Sequence, residues 1–162
     1  FLDTLPLVPV IPFGSRVLDI GSGGGFPGIP LKVIRPDLHL SLIDASRKKV
    51  HFLKHVIRTL GLKDIEARHI RAEELSKEHQ AKVARYNVII SKAASKLGKL
   101  LDQALPLLQR PGMIIAMKGM SVEAELEIVR SRIEAEALAV NTKEYRLPRL
   151  DVKRTLIILS KT

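Results

Sequence analysis

The stretch "RVLDIGSGGGFPGIP", Arg16–Pro30, joins a short apolar run to a loop that contains five glycines. The run Arg16–Ile20 ends at a glycine, which is typical of a buried strand. One glycine would suffice for a tight turn from a strand into a helix, whereas five predict a loop that lets a ligand approach the backbone. Pro27 falls in the first turn of the following helix, where amides have no helical partner and proline costs little, and Pro30 lies near the end of that turn.

Apolar and amphipathic segments alternate on the C-terminal side of this loop. The apolar runs predict further strands at Leu38–Asp44, Ile65–Ile70, Tyr86–Ser91, Arg110–Gly119 and Thr155–Lys161. Apolar spacings of three and four predict helices at Ser46–Leu62, Leu97–Leu108 and Val122–Leu138, and Phe1–Leu7 resembles the end of a helix. This order predicts one Rossmann-like α/β domain over residues 1–162, a mostly parallel sheet with helices on both faces. We expect an irregular stretch before the last strand, which could run antiparallel at or near an edge.

Composition narrows the class of protein. The chain has no cysteine, which excludes disulfides and thiolate metal sites, and its five histidines show no metal-ligand spacing. Neither a signal-peptide pattern nor an apolar run of about 20 residues is present, so we expect a cytoplasmic protein with no membrane partner. The formal net charge of +10 favours a nucleic acid as partner.

The glycine loop fits two nucleotide-cofactor patterns. Gly23–Gly28 matches the GxGxxG pattern of dinucleotide enzymes, and Asp19–Gly25 matches the first motif, DxGxGxG, of S-adenosylmethionine-dependent methyltransferases. Asp19 could help to position a methionine ammonium group, which a dinucleotide lacks, or it could cap loop amides. Asp44 could accept both ribose hydroxyls of either cofactor or cap the next helix. These residues alone leave both cofactors open.

Two longer segments carry a resemblance to a known family. They are "DIGSGGGFPGIPLKVIRPD", Asp19–Asp37, and "LIDASRKKVHFLKHV", Leu42–Val56. With them the whole chain resembles the bacterial small-subunit ribosomal RNA guanine-N7 methyltransferases, also called glucose-inhibited division protein B. The resemblance implies methylation of guanine N7 in the 530 loop of 16S ribosomal RNA, with S-adenosylmethionine as cofactor. It also implies an N-terminal helical segment that is largely missing from this chain.

The resemblance also implies a set of site residues. The cofactor would lie against the glycine loop at Gly21, Gly23, Gly25 and Phe26, with Asp44 on the ribose. Ala72 and Glu73 would flank the adenine through backbone groups. Lys92 stands where the family usually has an arginine, which keeps the charge and loses the planar fork. Lys118, in the matching segment "AMKG", would lie near the active cleft.

The expected chemistry needs few catalytic groups. Guanine N7 carries an in-plane lone pair and no proton, so we expect no general base and name no catalytic residue. For RNA phosphates the candidates are Arg47, Lys54 and Arg58 on the Ser46–Leu62 helix, Lys118, and Arg149 and Arg154 near the C-terminus. Phe26 either touches the cofactor or target base or packs under the loop. The alternatives are a non-catalytic RNA-binding or ribosome-assembly factor and an NAD-dependent oxidoreductase.

Overall fold

The computed structural model describes residues 1–80, 86–92, 95–119, 122–147 and 152–162. A 3₁₀ helix, Leu2–Leu7, precedes the sheet, and a second one, Leu105–Leu107, precedes the fifth strand. The strands are β1 (Arg16–Ile20), β2 (His39–Asp44), β3 (Ile65–His69), β4 (Tyr86–Lys92), β5 (Leu108–Lys118), β6 (Ala139–Leu147) and β7 (Val152–Lys161). The helices are α1 (Gly28–Ile34), α2 (Arg47–Thr59), α3 (Ala72–Gln80), α4 (Leu97–Ala104), α5 (Val122–Ile128) and α6 (Arg130–Ala135).

The strands form one sheet in the order β3-β2-β1-β4-β5-β7-β6. The first five are parallel, and β7 lies antiparallel between β5 and β6. This architecture confirms the predicted Rossmann-like class. The strand order reverses between β1 and β4, and such a switch point opens a crevice at the carboxyl ends of the strands. The glycine loop follows β1, so it lies at that crevice.

Buried side chains form one cluster on each face of the sheet. Along β1, Val17 belongs to the cluster beneath α1 and α2, whereas Leu18 and Ile20 belong to the cluster beneath α4. Successive strand residues point to opposite faces, so a strand that is buried on both faces is apolar throughout. In the described part of the chain, no helix has the length and apolar character needed to span a membrane.

The structure corrects the sequence interpretation in the C-terminal third. The stretch expected to be irregular contains β6, which forms the edge of the sheet beyond β7. Most of β6 is exposed, so it carries no apolar alternation that sequence reasoning could detect. The helix expected over Val122–Leu138 is two short helices, α5 and α6. The helix expected over Leu97–Leu108 ends at Ala104, and α3 was not predicted.

Candidate active site: a cofactor cleft at the switch point

Two glycines fix the path of the loop between β1 and α1. Gly25 has a φ of 93°, and a Cβ there would lie 2.6 Å from the side chain of Ile29. A Cβ on Gly28 would overlap the side chain of Leu42 and lie 2.8 Å from Asp19 Oδ2. Only glycine lets α1 begin this close to β1 and β2. Pro30 is the third residue of α1, where its missing N–H breaks no helical bond.

Asp19 is a buried carboxylate at the carboxyl end of β1. Its side chain is 1% exposed, and Oδ2 accepts a hydrogen bond from the Gly28 N–H at 3.1 Å. Oδ1 is equally buried and has no hydrogen-bond partner. Burial is the main cause that raises the pKa of Asp19 to about 7. Asp19 therefore caps one loop amide through Oδ2, which is one of its two predicted roles, whereas Oδ1 has no hydrogen-bond donor.

Asp44 holds the glycine loop and the start of α2 together. Oδ2 accepts the Gly23 N–H at 2.9 Å, and Oδ1 accepts the Ser46 N–H at 2.8 Å. The Lys49 ammonium lies 3.9 Å from Oδ2. Each carboxylate oxygen can accept a second hydrogen bond, and Asp44 lines the cleft described next. Capping of α2 therefore does not prevent contact with a ribose.

A cleft of about 310 Å³ opens at the carboxyl ends of β1, β2 and β3. Of the predicted cofactor residues, its lining includes Gly21, Asp44, Ala72 and Glu73. Sequence reasoning missed its opposite wall, which Lys99 and Gln103 of α4 provide with Ser95. The Gln103 amide donates to Glu73 Oε1 at 2.8 Å, and this bond is the main cause that lowers the pKa of Glu73.

A sequence signal for this wall existed. Lys99 and Gln103 are four residues apart, so they share the polar face of a helix that follows a parallel strand. That face is opposite the leucines used to predict the helix, and it meets the carboxyl edge of the sheet.

Other predicted cofactor residues lie outside the cleft lining. Asp19 is buried behind the lining, Gly23 and Gly25 shape the loop there, and Phe26 is 46% exposed on the loop surface. The Lys92 ammonium lies 2.9 Å from Asp3 Oδ2, on the N-terminal 3₁₀ helix, and the Tyr145 hydroxyl donates to Asp3 Oδ1 at 3.2 Å. The structure therefore pairs Lys92 with Asp3 and not with the cleft. Burial is the main cause that raises the pKa of Tyr145.

The candidate RNA residues differ in how far they are exposed. Arg47, Lys54 and Arg58 are exposed on α2, as the amphipathic pattern predicts. The Lys118 ammonium donates to the Ser95 carbonyl oxygen at 2.6 Å and to Glu125 Oε2 at 2.8 Å, so it is held within the protein and not presented to a phosphate. Arg154 is half-buried on β7, and Arg149 lies outside the described residues.

Solved structures place this fold in a class. An rRNA methylase from Streptococcus thermophilus superposes with a TM-score of 0.68 at 17% identity, covering 99% of this chain and 94% of that one. A predicted O-methyltransferase from Agrobacterium tumefaciens gives 0.76 at 14% identity, covering 99% and 80%. The fold is that of the Rossmann-like class I methyltransferases.

Sequence comparison identifies the family within that class. The family model for rRNA small subunit methyltransferase G matches residues 1–153. The protein of that name from Geotalea uraniireducens is 42% identical over 162 residues, which cover 99% of this chain and 73% of the relative. The one from Desulforamulus reducens is 38% identical, with 99% and 68% covered. The chain belongs to the rRNA small subunit methyltransferase G family, which confirms the resemblance carried by the glycine loop.

Proposed function

We propose that this chain methylates guanine N7 in the 530 loop of 16S ribosomal RNA, acting on the small ribosomal subunit. Family membership makes it an rRNA methyltransferase with S-adenosylmethionine as methyl donor. It also removes the NAD-dependent oxidoreductase, which the GxGxxG spacing alone had favoured. A cytoplasmic location is part of this proposal because ribosomal RNA is the substrate.

The observation in the structure that supports the cofactor site is the unpartnered Oδ1 of Asp19, which is buried at the glycine loop behind the cleft lining. A buried carboxylate oxygen without a donor costs free energy unless a ligand supplies one. The methionine ammonium group is a donor of the required charge, reached directly or through water. Asp44 on the cleft wall suits a ribose, and the Ala72 and Glu73 segment suits an adenine edge. The residues present therefore fit S-adenosylmethionine.

The chain's own residues act by binding and orientation. S-adenosylmethionine supplies, when bound, a methyl group on a cationic sulfur. Because guanine N7 has a free lone pair and no proton, the protein needs no general base. The main task of its residues is to align the target base with the methyl donor. The pKa of Asp19 is about 7, and a cation that approaches the carboxyl group lowers this pKa and so favours the ionised form. The rigid turn at Gly25 and Gly28 lowers the entropy cost of holding the ligand.

Methyl transfer to small ribosomal subunits that lack the 530-loop methyl group tests the proposal. We expect label from S-adenosylmethionine on a guanine N7 in that loop. Asp44→Ala should lower the rate by raising the KM for the methyl donor, and Glu144→Ala, an exposed carboxylate on β6, serves as the matched control. Label on another nucleotide would refute the proposed target. Donor binding without transfer would favour the non-catalytic assembly factor.

A further inference from the structure

A second cavity lies at the β3 edge of the sheet. It has a volume of about 580 Å³ and lies between the second half of α2, the turn after it and β3. We name it the α2–β3 groove, lined by Lys54, Ile57, Arg58, Leu62, Lys63 and Arg68 with their neighbours. In the described part of the chain, β3 pairs with β2 only, so its outer edge borders the groove.

The groove has an apolar floor and a cationic rim. Ile57, Leu62 and Ile65 form the floor and are half-buried. Lys54, Arg58 and Lys63 are exposed or half-exposed cations on the rim, and none of the three has an ion-pair partner within the described ranges. Two of these cations lie on α2 and the third lies in the turn after it, so they surround the groove from different elements.

The remaining charges of the groove are one paired cation and one carboxylate. Arg68 Nη2 lies 2.7 Å from Glu78 Oε2, which compensates its charge. Glu66, the one acid among the described lining residues, accepts a hydrogen bond from the Ser41 hydroxyl at 2.9 Å on the neighbouring strand, and its single negative charge is outnumbered by Lys54, Arg58 and Lys63. The net charge that the groove presents to a ligand is therefore positive, and a polyanion complements it.

The groove and the cofactor cleft are connected by two elements. The N-terminus of α2 is held by Asp44 at the cleft, and Lys54 lies seven residues further along, about 10 Å away at 1.5 Å per residue. β3 runs from the groove at Ile65 to the cleft, whose lining begins again at Ile70. An extended polyanion bound in the groove can therefore continue toward the cofactor cleft along one side of the protein.

We propose that the α2–β3 groove binds the sugar–phosphate backbone of the ribosomal RNA beside the target nucleotide. Lys54, Arg58 and Lys63 contact phosphates, and the apolar floor receives ribose faces. The described lining contains no aromatic side chain, so bases do not stack there and the contact is independent of sequence. This inference rests on the proposed function because it takes ribosomal RNA as the ligand.

Salt-dependent binding of in vitro transcribed 16S ribosomal RNA tests the groove. The variant carries Arg58→Gln with Lys63→Met, and the control carries Lys143→Met with Lys153→Met, which removes two exposed charges from the opposite edge of the sheet. Each lost phosphate contact lowers the slope of log K against log salt by about 0.7. Two contacts predict a slope change of about 1.4 and, at 0.1 M KCl, about 25-fold weaker binding. The control should bind as the wild type does.

The possible results separate the groove from the proposed activity. Equal losses in variant and control, or no loss in the variant, overturn the groove. Normal binding of free RNA together with lost methylation of intact subunits overturns it in favour of a protein partner. If the wild type transfers no methyl group but the groove variant still shows the slope change, the activity is refuted and the groove stands. The affinity for S-adenosylhomocysteine should be the same in all variants, which checks the fold.

Discussion

Replacing Asp19 by asparagine should stabilise the cofactor-free protein and lower its affinity for the cofactor. The pKa of Asp19 is about 7 in the folded protein, against 3.8 for an exposed aspartate. Because the folded-state pKa is the higher one, the contribution of the Asp19 carboxyl group to the free energy of unfolding is fully present below about pH 4. It is lost as the pH rises from about 4 to 7 and stays constant above that. Asparagine has nearly the same shape, still accepts the Gly28 N–H and carries no charge.

The size of the effect follows from the two pKa values. A difference of about three units corresponds to about 4 kcal/mol of lost stability for the ionised group at high pH, at 1.36 kcal/mol per unit. Integrated between pH 5 and pH 8, the loss is about 2.5 kcal/mol. The free energy of unfolding of Asp19→Asn, minus that of the wild type, should rise by this amount over the same interval.

Urea unfolding at constant ionic strength, followed by circular dichroism from pH 5 to pH 8, measures this difference. Glu144→Gln, which removes an exposed carboxylate, should give a flat difference. Calorimetric titration with S-adenosylhomocysteine should show weaker binding to Asp19→Asn because the ammonium group loses its anion. A flat pH profile for Asp19→Asn would refute the argument that burial destabilises its charge. An unchanged affinity would show that Oδ1 does not face the cofactor.

Four further substitutions, in three experiments, test the loop, the cleft and the N-terminal contact. Gly28→Ala should lower the free energy of unfolding by about 1–3 kcal/mol, because the new methyl group overlaps Leu42; an unchanged urea midpoint would contradict the close packing. Asp44→Asn should weaken S-adenosylhomocysteine binding about tenfold, measured by calorimetry, because a charged hydrogen-bond acceptor is lost. The same affinity as the wild type would show that Asp44 does not contact the cofactor. Asp3→Asn and Lys92→Met should show a coupling energy of about 1 kcal/mol in a double-mutant cycle of unfolding; additive effects would refute their ion pair.

The parts of the cofactor site that are built from one continuous stretch of chain could be predicted from the local sequence. The glycine loop needs a left-handed φ at Gly25 and a missing side chain at Gly28, so its residue types are visible without a structure. Asp44 follows a buried apolar strand, and parallel strands bring their carboxyl ends to one edge. The position of the cofactor cleft, the parallel sheet and the family were therefore open to prediction from the sequence.

Tertiary structure alone decided the contacts between distant segments. Asp3 and Tyr145 are 142 positions apart, and no periodicity in either segment indicates that they meet beside Lys92. β6 is exposed and forms through pairing with β7, so its strand character comes from a partner and not from its own pattern. Gln103 reaches Glu73 only because α4 packs beside α3. Sequence periodicity reports which face of an element is buried, whereas the partners of its polar face depend on how the elements pack.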